Sequence, residues 1–260
     1  MSYLDVLLYF IVPPIVALVL FPSLATHGNR KDLLRGTFLL VILALLWTTP
    51  WDNYLVATGI WFYGEGRVLG TIGYVPIEEY VFFILQTLLV GLWVIRLNFH
   101  FGIRQSNVES SNNHSHKLAV AALFSVWFLS LGLMWKLESR YLGLILVWAL
   151  PVIGIQWWFG FQTLVKNIKF CLWAVLPPTI YLWLVDSLAL FKNVWTISSK
   201  TTVGWGIGIL PLEEALFFFV TTLMVAQGLI LFVTHKNWLF ENQPQVGRWL
   251  YGSTEGRIHD

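Results

Sequence analysis

The sequence predicts an all-α polytopic membrane protein of about seven transmembrane helices, built as two parallel three-helix repeats joined by an extra helix. Three observations carry that prediction. Of 260 residues, 57% are hydrophobic and only 12% charged, with a mean hydropathy of +0.69, whereas about a quarter of the residues in a soluble domain are charged. Apolar runs long enough to cross a bilayer, roughly 18 residues or more, recur along the whole chain. One acidic motif, Pro76-Ile77-Glu78-Glu79, returns as Pro211-Leu212-Glu213-Glu214, each time at the head of an apolar run.

The first span runs from about Tyr3 to Phe21 and carries Pro13-Pro14; prolines inside a spanning helix mark a kink. It lacks the basic start and small-residue cleavage site of a secretory signal. A polar loop, His27 to Asp32, leads to a second span, Leu33 to Thr49, which is expected to stop at Pro50-Trp51-Asp52. Residues 51–75, with Trp61 and Gly64-Glu65-Gly66-Arg67, are too broken for a span and too apolar for a solvated loop. They are expected at the interface, folded back. The third span starts at Pro76 and ends near Arg96, and residues 98–117 form a hydrophilic linker through Ser110-Ser111-Asn112-Asn113. Further spans are expected at Leu118–Trp135, Tyr141–Phe161, Phe170–Leu190 and Ile209–Val233, before a polar tail from His235 to Asp260.

Loop charges set a direction. Of the 16 Lys and Arg residues, only Arg67, Lys136, Arg140, Lys192 and Lys200 fall on one side, leaving eleven on the other. The positive-inside bias then predicts an external N-terminus and a cytoplasmic C-terminus, in the cell membrane. The segments preceding both Glu pairs lie on the non-cytoplasmic side in that arrangement.

The repeat extends beyond the acidic motif. Tyr3 and Pro13 match Tyr141 and Pro151 at a spacing of ten, and Asp52 and Trp61 match Asp186 and Trp195 at a spacing of nine. The offset between halves stays at 134 to 138. This divides the chain into a first repeat (1–105), a linker with the extra span (106–140), a second repeat (141–235) and the tail (236–260). An odd connecting span makes both units enter the membrane in the same sense, about an axis normal to the bilayer. Such an axis places the Glu pairs at equal depth.

A carboxylate at the edge of a hydrocarbon phase is costly and marks function. One Pro-x-Glu-Glu also fits plain helix-start chemistry, with Pro at the first helical position and the acids on the exposed amides. Two copies, each with a preceding Asp and Trp and a following Phe pair (Phe82-Phe83, Phe217-Phe218), favour function. Adjacent Glu residues point about 100° apart on a helix. One of each pair therefore faces a cavity and the other caps or orients. The expected cavity acids are Glu79 and Glu214, four residues ahead of Phe83 and Phe218, with Glu78 and Glu213 holding the helix start. A carboxyl group in an apolar cavity favours its neutral form and serves as an acid. An acid among aromatic walls suits alkene protonation: rings stabilise the carbocation and water exclusion prevents its capture. Asp52 and Asp186 either support that acid, take back a proton, or simply sit at helix ends.

Other classes find no residues. The net charge of +2 comes without a basic run for nucleic acid. Gly64-x-Gly66-x-x-x-Gly70 is misspaced for a dinucleotide and lies in no βαβ unit. The six His residues lack metal-ligand spacing and Cys171 stands alone. No Asp-rich diphosphate motif occurs, and the last span has no internal Lys for a retinal Schiff base.

Trp51-Asp52-Asn53-Tyr54, Gly73-Tyr74-Val75-Pro76-Ile77-Glu78-Glu79-Tyr80-Val81-Phe82-Phe83 and Leu210-Pro211-Leu212-Glu213-Glu214-Ala215-Leu216-Phe217-Phe218 resemble the membrane-integral lycopene β-cyclases. Those are the two-subunit bacterial enzymes, their fused relatives in archaea, and the cyclase part of the fungal bifunctional cyclase/phytoene synthase. The resemblance covers roughly residues 3–235 and implies the fused form. It implies non-redox cyclisation of the ψ-ends of lycopene to β-ionone rings in carotenoid biosynthesis, with no cofactor and no metal. Glu78, Glu79, Glu213, Glu214, Asp52 and Asp186 are then the candidate catalytic residues. Trp61, Phe82, Phe83, Trp195, Phe217 and Phe218 are candidates for binding substrate. The expected partners are a linear carotenoid, the lipid bilayer and other enzymes of the same pathway. A proton-coupled transporter or a lipophilic-ligand-binding protein is the alternative the architecture alone leaves open.

Overall fold

The computed structural model describes residues 1–21, 29–104 and 114–242, with residues 236–242 as backbone alone. The start of the first polar loop (His27, Gly28), the centre of the linker and the tail beyond residue 242 lie outside the described residues. Among the described residues, seven helices are long and apolar enough to cross a membrane. They are α1 (Tyr3–Leu20), α2 (Arg30–Ala57), α3 (Ile77–Phe101), α4 (His114–Trp135), α5 (Arg140–Lys166), α6 (Ile168–Phe191) and α7 (Leu212–Asn242). The chain is an integral membrane protein of all-α class.

Helix α1 starts with a reciprocal cap: Ser2 Oγ accepts from the Asp5 N–H at 3.2 Å, and Asp5 Oδ2 accepts from the Ser2 N–H at 2.7 Å. Its expected disturbance is a π turn over Leu7–Ile11, ahead of Pro13-Pro14. The widened turn lets the Val12 N–H reach the Leu7 carbonyl just before two residues that can donate nothing.

Helix α2 corrects the sequence reading. It passes through Pro50 and ends at Ala57, so Asp52 lies within its last turns and not in a connector. A single proline does not end a spanning helix whose neighbours pack on both sides of it. Helix α7 also begins later than expected, at Leu212, because Ile209 belongs to a turn.

The segments before α3 and α7 fold identically. In the first, β2 (Thr71–Ile72) pairs with β3 (Val75–Pro76) around Gly73-Tyr74; in the second, β5 (Gly206–Ile207) pairs with β6 (Leu210–Pro211) around Gly208-Ile209. Gly73 and Gly208 take φ of +66° and +64° at the first central position, where a II′ hairpin turn takes glycine. Each hairpin feeds its proline straight into a helix.

Between the halves, β1 (Trp61–Tyr63) pairs antiparallel with β4 (Trp195–Ile197), in the register Trp61↔Ile197, Phe62↔Thr196 and Tyr63↔Trp195. These are equivalent segments at an offset of 134, so the contact is its own two-fold mate. The flanking bonds obey the same operation: the Gly64 N–H donates to the Val194 carbonyl, and the Ser198 N–H to the Ile60 carbonyl.

Helices α3 and α7 form the centre, with 56% and 50% of their spans buried, whereas α4 is 6% buried and packs on α5. One apolar cluster lies beneath the hairpins, around Leu55, Tyr141, Leu182 and Phe217. A second, at the opposite end, gathers Leu33, Val94, Phe170 and Leu229.

Candidate active site

Both Pro-x-Glu-Glu motifs sit where a hairpin becomes a helix, and that geometry separates the two acids of each pair. Pro76 has φ −56° and ψ 146° and caps α3 from outside. The helix therefore starts one residue later than expected, with Glu78 and Glu79 both in its first turn. Glu78 does not cap its own helix. Its Oε1 accepts from the Leu69 N–H at 2.8 Å, and Glu213 Oε1 accepts from the Val203 N–H at 2.7 Å. Each thus ties the strand-bearing loop to the helix start, since an extended proline swings that carboxylate back toward the loop.

Glu79 and Glu214 turn the other way, into a common cavity, and are 4% and 2% exposed. Tyr3 donates its hydroxyl to Glu79 Oε2 at 2.6 Å, and Tyr141 donates to Glu214 Oε1 at 2.6 Å. The two tyrosines occupy matched positions at the first turns of α1 and α5. The match ends there. Tyr63 adds a second hydroxyl to Glu79 Oε2 at 3.3 Å, while Ile197 holds the corresponding place in β4. Burial, and then the Glu79 carboxylate, push the Tyr63 phenol well above its ordinary value.

The cavity measures about 30 Å³ and draws equally on both halves. Glu79, Glu214 and Asp186 supply its carboxyl groups; Trp61, Phe82, Trp195, Phe217 and Phe218 supply its rings, with Tyr3 and Tyr63. The aromatics interlock across the two-fold: Tyr3 lies 4.8 Å from Trp195, and Tyr141 6.1 Å from Trp61, between ring centroids. Trp61 meets Phe217 edge-on at 6.0 Å, and Phe82 meets Phe218 edge-on at 6.1 Å.

Five of the six aromatic candidates line this cavity. The sixth, Phe83, does not; it lines a neighbouring apolar cavity together with Phe217. The i, i+4 reading therefore holds for Glu214 and Phe218 but not for Glu79, whose cavity neighbour on α3 is Phe82, three residues on. The aspartates also part company. Asp186 lines the cavity and accepts from Trp195 Nε1 at 2.9 Å. Asp52 is fully buried beside it, and neither of its oxygens has a hydrogen-bond partner among the described residues. Among the described residues no cluster of His, Cys, Asp and Glu could hold a metal ion.

Two carboxyl groups from opposite halves, each held by a phenol within one aromatic pocket, make an arrangement suited to moving a proton in a dry site. Comparison with known proteins accords with it. A lycopene beta-cyclase of Halobacterium salinarum is 40% identical over 231 residues, covering 89% of this chain and 95% of that protein. The chain belongs to the lycopene beta-cyclase family. A bifunctional lycopene cyclase/phytoene synthase of Arthroderma gypseum is 34% identical over 98% of this chain, and one of Phaeosphaeria nodorum is 35% identical over 86%. This chain spans 45% and 39% of those longer fungal proteins. No family model matches the chain, and no solved structure matches it.

For a member of the lycopene beta-cyclase family, the residues that sequence reasoning left without a role are Tyr3, Tyr141 and Tyr63. The first two were visible as a repeated Tyr-Leu ahead of a proline, a match that reported duplication without revealing that the hydroxyl meets the acid. Tyr63 had no such signal, because its mate is Ile197.

Proposed function

We propose that this protein is a lycopene beta-cyclase that closes the ψ-ends of lycopene into β-ionone rings by acid catalysis without net redox change. The observation that carries the reading is the joint cavity, in which Glu79 and Glu214 face an apolar aromatic pocket from opposite halves. A carboxylic acid protonates C2 of the terminal alkene and leaves a cation at C1. The C5=C6 double bond attacks that cation and closes the ring, and loss of the C6 proton forms the β-end. The ring faces of Trp61, Phe82, Trp195, Phe217 and Phe218 favour the cation, and their packing keeps water from capturing it.

Glu79 and Glu214 are the proton-transferring pair in this reading. Glu78 and Glu213 are positioning residues that hold the hairpins, and Asp186 adds a third carboxyl group to the pocket wall. Asp52 is a further buried carboxyl group behind the wall. Phe83 serves the neighbouring cavity. The proton lost from C6 passes to the second carboxylate, and its return to the first within the same pocket restores the protein after each turnover.

The same reading makes residues 1–105 and 141–235 duplicated units, with 106–140 as linker and extra span and 236–260 as a tail. The matched Tyr–Glu bonds, the matched hairpins and the self-mated β1–β4 register support it. Loop charge supports an external N-terminus and a cytoplasmic C-terminus in the cell membrane, with the pocket near the outer face. A linear carotenoid in the bilayer is the substrate, and enzymes that make or use it are the expected neighbours.

The deciding experiment is expression in a lycopene-producing bacterium with chromatography of the pigments. Monocyclic or bicyclic β-ring carotenoid is expected. Unchanged lycopene alongside confirmed membrane protein refutes the reading.

A further inference from the structure

We infer that the apolar cavity between α2, α3, α5 and α7 is a second binding site, one that holds the conjugated chain of a linear carotenoid while its end group passes Phe217 into the acid pocket. The inference rests on the proposed cyclase function and identifies where the rest of that substrate lies.

The two cavities differ in size and share a wall. The acid pocket, at about 30 Å³, has room for little more than a water or two. The neighbouring cavity measures about 430 Å³, within the range of small-molecule sites, roughly 300–1,000 Å³. Phe217 lines both. It is 2% exposed and packs between Trp61 on one side and Trp148 on the other, at 6.0 Å from each. A pocket of the smaller size admits the end group only when Phe217, the shared wall, turns aside and joins the two spaces, and the remainder of a long rigid polyene needs an adjoining apolar channel. The larger cavity adjoins, and its walls are hydrocarbon and indole: Ala44, Phe83, Trp148, Ile155 and Val225.

Both side-chain amide nitrogens in that wall are engaged, while Gln156 Oε1 is buried without a hydrogen-bond partner among the described residues. Gln86 Nε2 donates to Thr221 Oγ1 at 2.7 Å, joining α3 to α7, and Gln156 Nε2 donates to the Met224 carbonyl at 2.8 Å. A chain without heteroatoms asks for nothing more. The position also fits delivery from lipid, because Leu43, Leu46, Trp47 and Ile155 on its rim are exposed apolar side chains of a membrane protein. Placement of Phe83 in this cavity, against the sequence expectation, follows: one Phe of that pair faces the end group and the other faces the chain.

The test uses two substitutions on α2 and α7, the one eight residues before Asp52 and the other eleven residues beyond Glu214. Ala44→Phe and Val225→Phe, purified in detergent with the elution profile and melting transition of the parent, should each lower kcat/KM for lycopene about tenfold, through KM. A smaller change guards against misfolding. Ala44→Cys should react with a membrane-permeant maleimide, and lycopene should slow that reaction severalfold, with the buried Cys171 of the parent protein as background. A parent protein that turns over lycopene, with KM unchanged in both Phe variants or with Ala44→Cys labelled equally with and without lycopene, overturns this site and leaves the cyclase reading standing. A fall carried by kcat alone also overturns it. A parent protein that leaves lycopene untouched defeats the cyclase reading itself.

Discussion

Exchanging one oxygen for an amide nitrogen separates the two acids of each pair, because only one of each faces the pocket. Glu79→Gln and Glu214→Gln keep the side chain's length and its acceptor oxygen for Tyr3 and Tyr141, yet remove the transferable proton. Loss of a positioned general acid or base costs typically 10²–10⁴ in rate, so each variant should turn over lycopene at about a hundredth of the parent rate or less. Glu78→Gln and Glu213→Gln pose a smaller problem. Their Oε1 atoms accept one backbone N–H each, from Leu69 and Val203, and a glutamine oxygen still accepts. The change replaces a hydrogen bond to a charged group, worth about 1.5–3 kcal/mol, by a neutral one worth about 0.5–1.5 kcal/mol. About 1 kcal/mol at the hairpin amounts to roughly fivefold in rate even if all of it reaches the transition state. The assay is lycopene consumption by membranes with matched protein content. Both pocket variants should consume less lycopene than either hairpin variant, since both acids serve one cavity. A greater loss from Glu78→Gln and Glu213→Gln would refute the assignment. Wild-type bicyclic product from either Glu79→Gln or Glu214→Gln would refute the single shared site.

Three further outcomes follow from the same geometry. Tyr141→Phe should slow cyclisation about tenfold, the equivalent of one hydrogen bond to a charged group; Tyr3→Phe should cost less, because Tyr63 still bonds Glu79. Equal losses in lycopene turnover would show that Tyr63 does not share that load. Phe217→Ala should let water reach the cation and yield a hydroxylated acyclic or monocyclic carotenoid, visible by mass spectrometry, together with a core loss of about 3–5 kcal/mol read from thermal melting; a product profile identical to the parent's would count against the shielding role. Gly91→Leu should cut the yield of folded protein through overpacking of about 1–3 kcal/mol, because a side chain there meets Thr37 where α3 crosses α2; a melting temperature equal to the parent's would show that the helices move apart.

The spans were legible because hydrophobic length is the strongest signal a membrane protein carries, and all seven correspond to helices. The ends were less so. Pro50 looked like a stop, yet α2 runs on to Ala57, and Asp52 became a buried helical residue in place of an interfacial one. The two hairpins went unread as strands because each has only two residues a side; Gly-x-x-Pro was their trace. The candidate acids stood out by repetition; the angle between successive helical side chains gave one cavity-facing Glu in each pair, and capping at Glu78 and Glu213, with Phe83 and Phe218 one turn beyond Glu79 and Glu214, gave the choice between neighbours. What that angle could not supply was the origin of helical phase. Pro76 lies outside the helix, which moved each Glu one position earlier and sent Glu78 to the loop. Phe83 fell to the adjoining cavity for a similar reason: only cross-helix packing decides which of two neighbouring rings faces which space.

Duplication invites the thought that each half serves one end of a symmetric substrate, and the geometry argues against it. The two-fold relating the halves runs through the β1–β4 contact at Phe62↔Thr196, and both phenol-held acids turn toward a single cavity beneath it. A substrate with two reactive ends presents them one at a time to such a cavity. On the proposed mechanism, duplication supplies two carboxyl groups to one end group, and these must differ in role, since one gives a proton and the other receives it. Departures from symmetry supply that difference. Glu79 takes two phenol donors on one oxygen while Glu214 takes one, because Tyr63 faces its acid and Ile197 does not. Asp186 is bonded by Trp195 and lines the pocket, whereas its counterpart Asp52 has no hydrogen-bond partner among the described residues and stands behind the wall. On that mechanism the repeat builds the pocket, and the residues that break the repeat divide the work within it.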